Sequence, residues 1–567
     1  MQFKWLSRAG CIVIVLWLLM PMQGAAHAVQ EGGASIGDPY MPELGNTGYD
    51  VQHYDLSLKF DFEARMLEAE TVITALSTLD SLGKLSLDFA SLTVRGVQVD
   101  GQSASFTQDA KRLKLFITLP KPAALGQKFK INIRYDGTPG TFQSQYLRFL
   151  PIGLDVNWQT RHVFAVNEPD GARGWFPCND HPRDRATFTY HITVPDDLTA
   201  VANGTQQGDP KVAENGYHTF DWDMPDLMAT YLTVVAIKNY VAKPLPNTGL
   251  DIPLTVYAYA EDAAAAANVL QATGEIMKRE IGWFGPFPFK SYGQVLVGQD
   301  AVGMEAQTMT VLPDSFARSD SNRVYTFVAH EMAHHWFGDA IALYTWADIW
   351  LNEGFASYAE YLAMEAKSGV RSALRLLNDW EGRIRSSSGR APILKPGFGD
   401  MFGTNTYVKA GFTLHMLRLE VGDETFFNIL KEYVKRFSGK NARTSDFEAI
   451  ATEISGRDLS GFFAMWLRRA DMPTVEITYT QNNGEVQALI CQTTRQPFTI
   501  PLTIRLNEQT ATDGKTDTEI LNLSQAEQRI TFKPGFIVQN MGVDPENHIL
   551  AKVMVTQAET LPARCAA

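Results

Sequence analysis

The sequence predicts a multidomain α+β protein in which a mainly helical part lies between two strand-rich parts. Short alternating or β-branched runs fill the chain from Tyr49 to Tyr240. Apolar residues at helical spacing follow from Glu261 to Leu467, and strand patterns return after Pro473. The length of 567 residues suits three or four domains. We therefore expect an N-terminal all-β domain, a mainly helical domain and a small C-terminal β-sandwich.

The first 28 residues have the features of a secretory signal peptide. Lys4 and Arg8 form a short basic region, an uncharged apolar run covers residues 9–21, and small residues flank His27 at a cleavage site. The alternative is an uncleaved membrane anchor, but the run is short for a membrane span. We expect cleavage after about Ala28, export to the periplasm or the extracellular space, and no stable membrane insertion of the mature chain.

The remaining chain divides at changes of pattern. Residues 29–48 are predicted to be a linker, and residues 49–243 the N-terminal β domain. The turn-forming segment 244–247 marks the start of the second domain, which we place at residues 244–472. Residues 473–567, with four strand-like runs, are predicted to form the C-terminal β-sandwich.

Composition excludes several classes of protein. The chain is 45% hydrophobic and 20% charged, which is ordinary for a globular protein and excludes a disordered chain. Its formal charge of -13 becomes -15 once Lys4 and Arg8 are removed, and this argues against nucleic acid as a partner. Three scattered cysteines remain after cleavage, Cys178, Cys491 and Cys565. They are not expected to form a disulfide framework, and none has the spacing of a metal site.

The strongest chemical signal is the segment His330-Glu331-Met332-Ala333-His334. Positions i and i+4 of a helix lie on one face, so the two imidazoles can converge on one ion. A catalytic zinc ion needs a third protein ligand and an open position for water. The short motif alone is moderately specific, because it also occurs in unrelated helices.

Glu353 supplies the candidate third ligand. Eighteen residues separate it from His334, enough for the end of one helix, a turn and the start of a second helix packed against the first. The alternative is a glutamate that only interacts favourably with a helix N-terminus. With both halves of the pattern present, we predict one zinc ion per chain, held by His330, His334 and Glu353.

Three neighbouring residues complete this prediction. Glu331 projects differently from the ligands and suits a carboxylate that takes a proton from the zinc-activated water and passes it to the leaving amine. His335 is predicted to be a packed or hydrogen-bonded helix residue rather than a fourth ligand. Glu360, seven residues after Glu353, either orients a ligand histidine or is an ordinary surface glutamate.

With these motifs, the chain resembles the M1 family of zinc metallopeptidases over nearly its whole mature length. The resemblance rests on the zinc pattern and on the segments 167–173, 175–180, 302–305 and 407–411. It implies a thermolysin-like catalytic domain between the two β domains, with the active site in the cleft between the first two. It also implies the shorter family architecture, which lacks a long helical C-terminal domain.

The resemblance also assigns roles to residues that the pattern alone does not. It implies that Glu305 and Glu168 bind the free α-amino group of the substrate, and that Gly303 and Met304 contact the substrate. Without it, Glu305 is one acid near a strand edge and Glu168 could be a loop acid paired with arginine. A carboxylate partner for an ammonium group in a closed cleft is chemically sound.

Tyr407 matches the family tyrosine that hydrogen-bonds the oxyanion of the tetrahedral intermediate, a role that a phenol can fill without titrating near neutral pH. On pattern alone it is a packing residue at the start of a helix. The chain departs from the family pattern at Val166, Ala306 and Ala410. These departures concern how the first residue of the substrate is held.

We therefore predict a zinc-dependent aminopeptidase that removes the N-terminal residue from peptides with free amino termini. An endopeptidase and an epoxide hydrolase use related chemistry, but the intact Glu305 argues against the first, and no feature of the C-terminal region favours the second. A peptide-binding protein without activity would be expected to have lost a ligand or Glu331, and all of them are present. The sequence predicts neither the preferred first residue nor the oligomeric state.

Overall fold

The computed structural model describes residues 28–298, 303–387, 389–482, 484–508 and 514–565. The predicted signal peptide therefore lies almost wholly outside the described residues. The fold has an N-terminal β-rich region, a helical region and two C-terminal sheets, so the predicted fold class is confirmed. No helix within the described ranges is both long and apolar enough to cross a membrane.

Strands dominate the first region. In chain order they are β1 (Gln30–Glu31), β2 (Tyr49–Asp61), β3 (Met66–Ser77), β4 (Ser81–Asp88), β5 (Thr93–Val99), β6 (Gln102–Ser103), β7 (Ser105–Asp109), β8 (Lys114–Ala124), β9 (Lys128–Gly137), β10 (Thr141–Phe142), β11 (Ile152–Asn157), β12 (His162–Val166), β13 (Arg185–Pro195), β14 (Thr199–Ala202), β15 (Thr205–Gln206), β16 (Lys211–Ala213), β17 (Tyr217–Ala229) and β18 (Val235–Lys238). They form a nine-stranded, a five-stranded and a four-stranded sheet. In β2 the alternating Leu56, Leu58 and Phe60 are buried, as a strand with one face on a core requires.

The segment predicted to be a linker is packed against two domains. β1 pairs with β4 in parallel, and Tyr40, Met41 and Leu44 are buried. Asp38 accepts hydrogen bonds from the Thr345 hydroxyl at 2.7 Å and the Trp346 amide at 3.1 Å. These contacts join the N-terminal segment to the loop that precedes the second zinc-pattern helix. The sequence did not indicate them because the segment has no regular period.

The boundary predicted for the second region falls within a strand. β19 (Tyr240–Pro244) spans the predicted boundary at residue 244, because it pairs with β20 (Leu254–Tyr259). The sheet continues in parallel through β21 (Tyr292–Val297) and β22 (Met309–Pro313). A short parallel pair follows, β23 (Ile341–Leu343) with β24 (Lys440–Ala442).

Nine α-helices lie in the described part of this region. They are α1 (Ala263–Val269), α2 (Thr273–Phe284), α3 (Ser321–Ala333), α4 (Trp350–Ser368), α5 (Val370–Ser387), α6 (Ala410–Val421), α7 (Asp423–Phe437), α8 (Thr444–Ser455) and α9 (Ser460–Arg468). α3 packs against α4, which is buried along most of its length. This pair brings the two halves of the zinc pattern together.

The C-terminal region consists of two sheets. Its strands are β25 (Thr474–Asn482), β26 (Glu485–Gln492), β27 (Ile500–Asn507), β28 (Thr516–Leu523), β29 (Glu527–Phe532), β30 (Asn540–Val543) and β31 (Lys552–Gln557). One sheet has the order β29-β26-β25-β31 and the other β28-β27-β30.

A disulfide bond joins Cys491 in β26 to Cys565 near the C-terminus. The sequence predicted no disulfide framework and did not indicate this single bond, while Cys178 is free and buried. The paired cysteines are 74 positions apart, and the segment between them includes several strands. Only the folded sheet brings them together, so their sequence spacing carried no signal.

Candidate active site

The two histidines of the zinc pattern project from the last turns of α3. Asp320 caps the start of the helix, where its carboxylate accepts hydrogen bonds from the amides of Asn322 and Arg323. His330 Nε2 and His334 Nε2 each lie 3.4 Å from Glu353 Oε2. Glu353 lies in the first turn of α4 and is buried.

These three residues fit a metal ion. Their ligand atoms lie within 4.8 Å of one another, and two imidazoles with one carboxylate are a donor set typical of catalytic zinc. His330 Nδ1 lies 2.8 Å from Glu360 Oε1, and His334 Nδ1 lies 3.2 Å from the Phe337 carbonyl oxygen. When each Nδ1 carries the proton, both Nε2 lone pairs face the same point as the Glu353 carboxylate.

The charge of this set also suits a cation. Burial opposes ionisation of Glu353, but the neighbouring imidazoles of His334 and His330 outweigh it and lower its pKa to about 2. Glu353 Oε2 is buried and has no hydrogen-bond partner among the described residues. An ionised, buried carboxylate oxygen that has no partner and lies between two imidazole nitrogens can bind a cation.

The contacts of Glu360 and His335 decide between the alternatives that the sequence left open for each residue. Glu360 reaches the ring of His330 and is therefore a positioning residue rather than an ordinary surface glutamate. His335 points away from the site: its Nε2 accepts a hydrogen bond from the Thr308 amide at 3.1 Å. Its ring packs on Phe287 and Tyr292, so it is a core residue.

Glu331 lies beside the metal-binding set. Its side chain is buried, and burial raises its pKa to about 8 against the opposing effect of His330 and His334. Gly303 packs directly on it: a Cβ atom at this glycine would lie 2.5 Å from Glu331 Oε1 and 2.3 Å from Cζ of Phe327. The absence of a side chain at Gly303 therefore makes room for the Glu331 carboxylate.

Glu305 and Glu168 enter the same cavity from different domains. Glu305 follows Met304, whose backbone bridges to Val311 at the outer edge of the parallel sheet. Glu168 follows β12 of the β domain. Glu305 is buried and Glu168 is half-buried. Each has one buried carboxylate oxygen without a hydrogen-bond partner among the described residues, and burial raises the pKa of both.

The position of Glu168 excludes the alternative that it is a loop acid paired with arginine. The nearby Arg173 forms its ion pair with Asp170 instead. The other carboxylates of the site, led by Glu305, raise the pKa of Glu168 further. Two neighbouring acids that repel each other, each with a buried unpartnered oxygen, form a site for a cationic group such as an ammonium.

Tyr407 lies on the other wall of the cavity. A π-helical turn at Asn405–Lys409 directly precedes α6. This turn presents the Tyr407 ring nearly parallel to that of His330, with the ring centroids 6.0 Å apart. Burial, together with the charge of Glu353, raises the pKa of Tyr407 well above its usual value. The phenol thus keeps its proton and can donate a hydrogen bond.

These residues surround one cavity of about 430 Å³. Of the nine residues predicted from the sequence, eight line it: Glu168, Gly303, Glu305, His330, Glu331, His334, Glu353 and Tyr407. The ninth, Met304, is buried beside it and holds the strand edge.

The lining also includes Arg323, Thr326 and Phe327, which the sequence did not single out. Their spacing from His330 on α3 was the signal available: residues 323, 326, 327 and 330 share a helix face.

Comparison with known proteins identifies related chains. A model of the peptidase M1 N-terminal domain matches residues 50–232, and a model of the peptidase family M1 domain matches residues 266–466. Human glutamyl aminopeptidase is 27% identical over 65% of this chain and 41% of its own length. Leucyl aminopeptidase of Saccharolobus solfataricus is 24% identical over 83% of this chain and 61% of its own length. The chain thus spans about half the length of these relatives.

A solved structure of a related protein matches this chain over almost its own whole length, unlike the longer relatives above. An M1 zinc metallopeptidase variant from Deinococcus radiodurans, bound to a Tyr-Ser-Ala substrate, superposes with a TM-score of 0.70 at 29% identity. The match covers 77% of this chain and 99% of the other. The other chain is therefore the shorter of the two, and nearly all of it is matched.

Proposed function

Because this chain belongs to the M1 family of peptidases, we propose that it is a zinc-dependent aminopeptidase that hydrolyses the first peptide bond of substrates with a free amino terminus. The matched relatives named as aminopeptidases support this proposal. So does the solved neighbour, which is a zinc metallopeptidase variant bound to a Tyr-Ser-Ala substrate.

The observation that carries the proposal is the pair Glu168 and Glu305 beside the metal-binding set. Each carboxyl group has one buried oxygen without a hydrogen-bond partner among the described residues, and each group raises the cost of ionising the other. A substrate ammonium group supplies the missing positive charge and favours the ionised form of the acids. Since such a group exists at the start of a peptide and not within it, the pair favours an exopeptidase.

His330, His334 and Glu353 would hold one zinc ion. When bound, zinc supplies Lewis-acid chemistry that polarises a carbonyl group and lowers the pKa of water towards neutrality. Glu360 keeps the His330 ring in the orientation that this binding needs.

Glu331 and Tyr407 act on the reacting groups from two sides. The Glu331 carboxylate accepts the proton of the attacking water and transfers it to the nitrogen of the leaving amine. The Tyr407 hydroxyl donates a hydrogen bond to the negative charge that develops on the carbonyl oxygen. Gly303 leaves the space in which the Glu331 carboxylate lies, and Met304 holds the adjoining backbone against Val311.

The test uses the purified protein and one short peptide in free and N-acetylated forms, each with and without a chelator. We expect release of the first residue from the free peptide only, its loss with chelator and its recovery when zinc is added. Glu305→Gln should raise KM for the free peptide. Equal cleavage of both forms would show an endopeptidase, and no cleavage of either with zinc bound would contradict the proposed activity.

We also propose that the protein is exported, to the periplasm or the extracellular space. The N-terminal basic and apolar segments support this, as does the Cys491–Cys565 disulfide, because such bonds persist in oxidising compartments. Cell fractionation and N-terminal sequencing test it: we expect the mature chain outside the cytoplasm, beginning after about Ala28. A full-length chain in the cytoplasm would contradict export.

A further inference from the structure

The order of the cavity-lining residues along α3 indicates how a bound peptide is oriented in the cavity. Ligand atoms of Glu305, Glu331 and His334 lie within 4.8 Å of one another, so Glu305, which is proposed to bind the amino group, lies towards the C-terminal end of α3. Arg323 lies in the first turn of the same helix and lines the same cavity. A substrate whose amino group is held by Glu305 therefore extends from His334 towards Arg323.

Arg323 differs from the other charged side chains of the cavity. The other ionisable groups that line it are carboxylates, two histidines and a tyrosine: Glu168, Glu305, Glu331, Glu353, Glu360, His330, His334 and Tyr407. Arg323 is exposed, and its guanidinium forms no ion pair with any residue in the described ranges. Its contact is with the ring of Phe316, 6.0 Å from the centroid. As far as the described residues go, the guanidinium is thus available to bind an anion.

The distances suit a short peptide. Arg323 precedes His330 by seven residues, which is about 10 Å along a helix that rises about 1.5 Å per residue. An extended peptide advances about 3.3 Å per residue, so the carboxylate of a tripeptide lies about 7 Å beyond the scissile carbonyl. The arginine side chain spans the few ångströms that remain. Guanidinium groups bind carboxylates through paired hydrogen bonds.

We propose that Arg323 binds the free α-carboxylate of short peptide substrates, so that the enzyme prefers tripeptides and similar short peptides with a free carboxyl terminus. This inference rests on the proposed aminopeptidase function. Glu168 and Glu305 bind the amino end of the substrate, and Arg323 binds its carboxyl end.

The experiment compares one tripeptide as the free acid and as the C-terminal amide. KM and kcat for release of the first residue are measured with the wild-type holoenzyme, with Arg323→Gln and with Arg375→Gln. Arg375 is an exposed arginine of α5 outside the cavity, so Arg375→Gln is the matched control. For the wild type we expect KM about tenfold lower for the acid than for the amide, from a charge-assisted hydrogen bond.

The variants distinguish the possible causes. In Arg323→Gln the ratio of KM values for acid and amide should fall to near one with kcat little changed, while Arg375→Gln keeps the tenfold ratio. Equal KM values for acid and amide in the wild type, or an unchanged ratio in Arg323→Gln, would overturn the role of Arg323. Either result would leave the proposed aminopeptidase activity intact. If the wild type cleaves neither peptide, the proposed activity itself fails. The amide also reports whether the Arg323 variant is folded and active.

Discussion

Nδ1 of His330 lies 2.8 Å from Oε1 of Glu360, while Nε2 of the same ring lies 3.4 Å from Oε2 of Glu353. The two glutamates are seven residues apart on α4 and therefore share one face of that helix. One imidazole of α3 is thus held at both nitrogens by α4. The metal-binding geometry depends on the packing of these two helices.

We predict that Glu360→Ala weakens zinc binding by about 10- to 100-fold, because the variant no longer fixes the His330 ring and its tautomer. The check is a competition titration with a chromophoric chelator, with activity measured at saturating zinc. Glu424→Ala is the control, since Glu424 is an exposed glutamate of α7 away from the cavity. An unchanged zinc affinity in Glu360→Ala would show that the ring needs no second partner.

We predict that Gly303→Ala lowers kcat/KM by about 100-fold, the scale of a displacement of about 1 Å at reacting groups. The added Cβ would meet Glu331 Oε1 at 2.5 Å and the Phe327 ring at 2.3 Å, so one of them must move. Gly282→Ala in α2 is the control, because no atom lies within 4 Å of its added Cβ. Zinc content should stay at one ion per chain. A fully active Gly303→Ala would show that Glu331 tolerates displacement.

We predict that Cys491→Ser with Cys565→Ser destabilises the C-terminal sheets by about 4 kcal/mol, from the entropy of the 74-residue loop that the bond closes. Limited proteolysis with and without reductant measures this. The wild type should become sensitive only when reduced, whereas the double variant should be sensitive in both conditions. If reductant leaves the wild type resistant, the bond contributes little to this region.

The sequence predicts most of the site because its chemistry depends on local spacing. The i and i+4 positions of His330 and His334 follow from helix geometry, and the gap to Glu353 suits a second packed helix. Glu168, by contrast, comes from the β domain, and only the family resemblance connected it to Glu305. No local pattern brings two acids of different domains into one cavity.

The features that the sequence missed depend on tertiary packing. The partners Cys491 and Cys565 meet only when β26 lies beside the C-terminal segment. The π-helical turn that presents Tyr407 has the same apolar spacing as an ordinary helix start. Arg323 is an exposed helix residue, and only the folded structure shows that it lines the same cavity as Glu168 of the β domain.

His415 provides a test of pH dependence that is separate from the metal-binding set. It is buried in α6, its Nε2 has no hydrogen-bond partner among the described residues, and Nδ1 lies 3.4 Å from the Tyr358 hydroxyl. Burial, aided by the charge of Arg418, lowers its pKa to about 3. The folded protein thus keeps this imidazole neutral at pH values where the unfolded chain binds a proton.

The unfolded state therefore gains protons as the pH falls below about 6.5, and the folded state does not until about pH 3. His415 should lower the free energy of unfolding by about 2 kcal/mol between pH 7 and pH 5. Chemical denaturation at both pH values measures this loss, which should shrink by that amount in His415→Leu. The half-buried His218 of β17 gives the control His218→Gln, which should keep the full loss. If His415→Leu is as acid-sensitive as the wild type, His415 is not the group that destabilises the fold in acid.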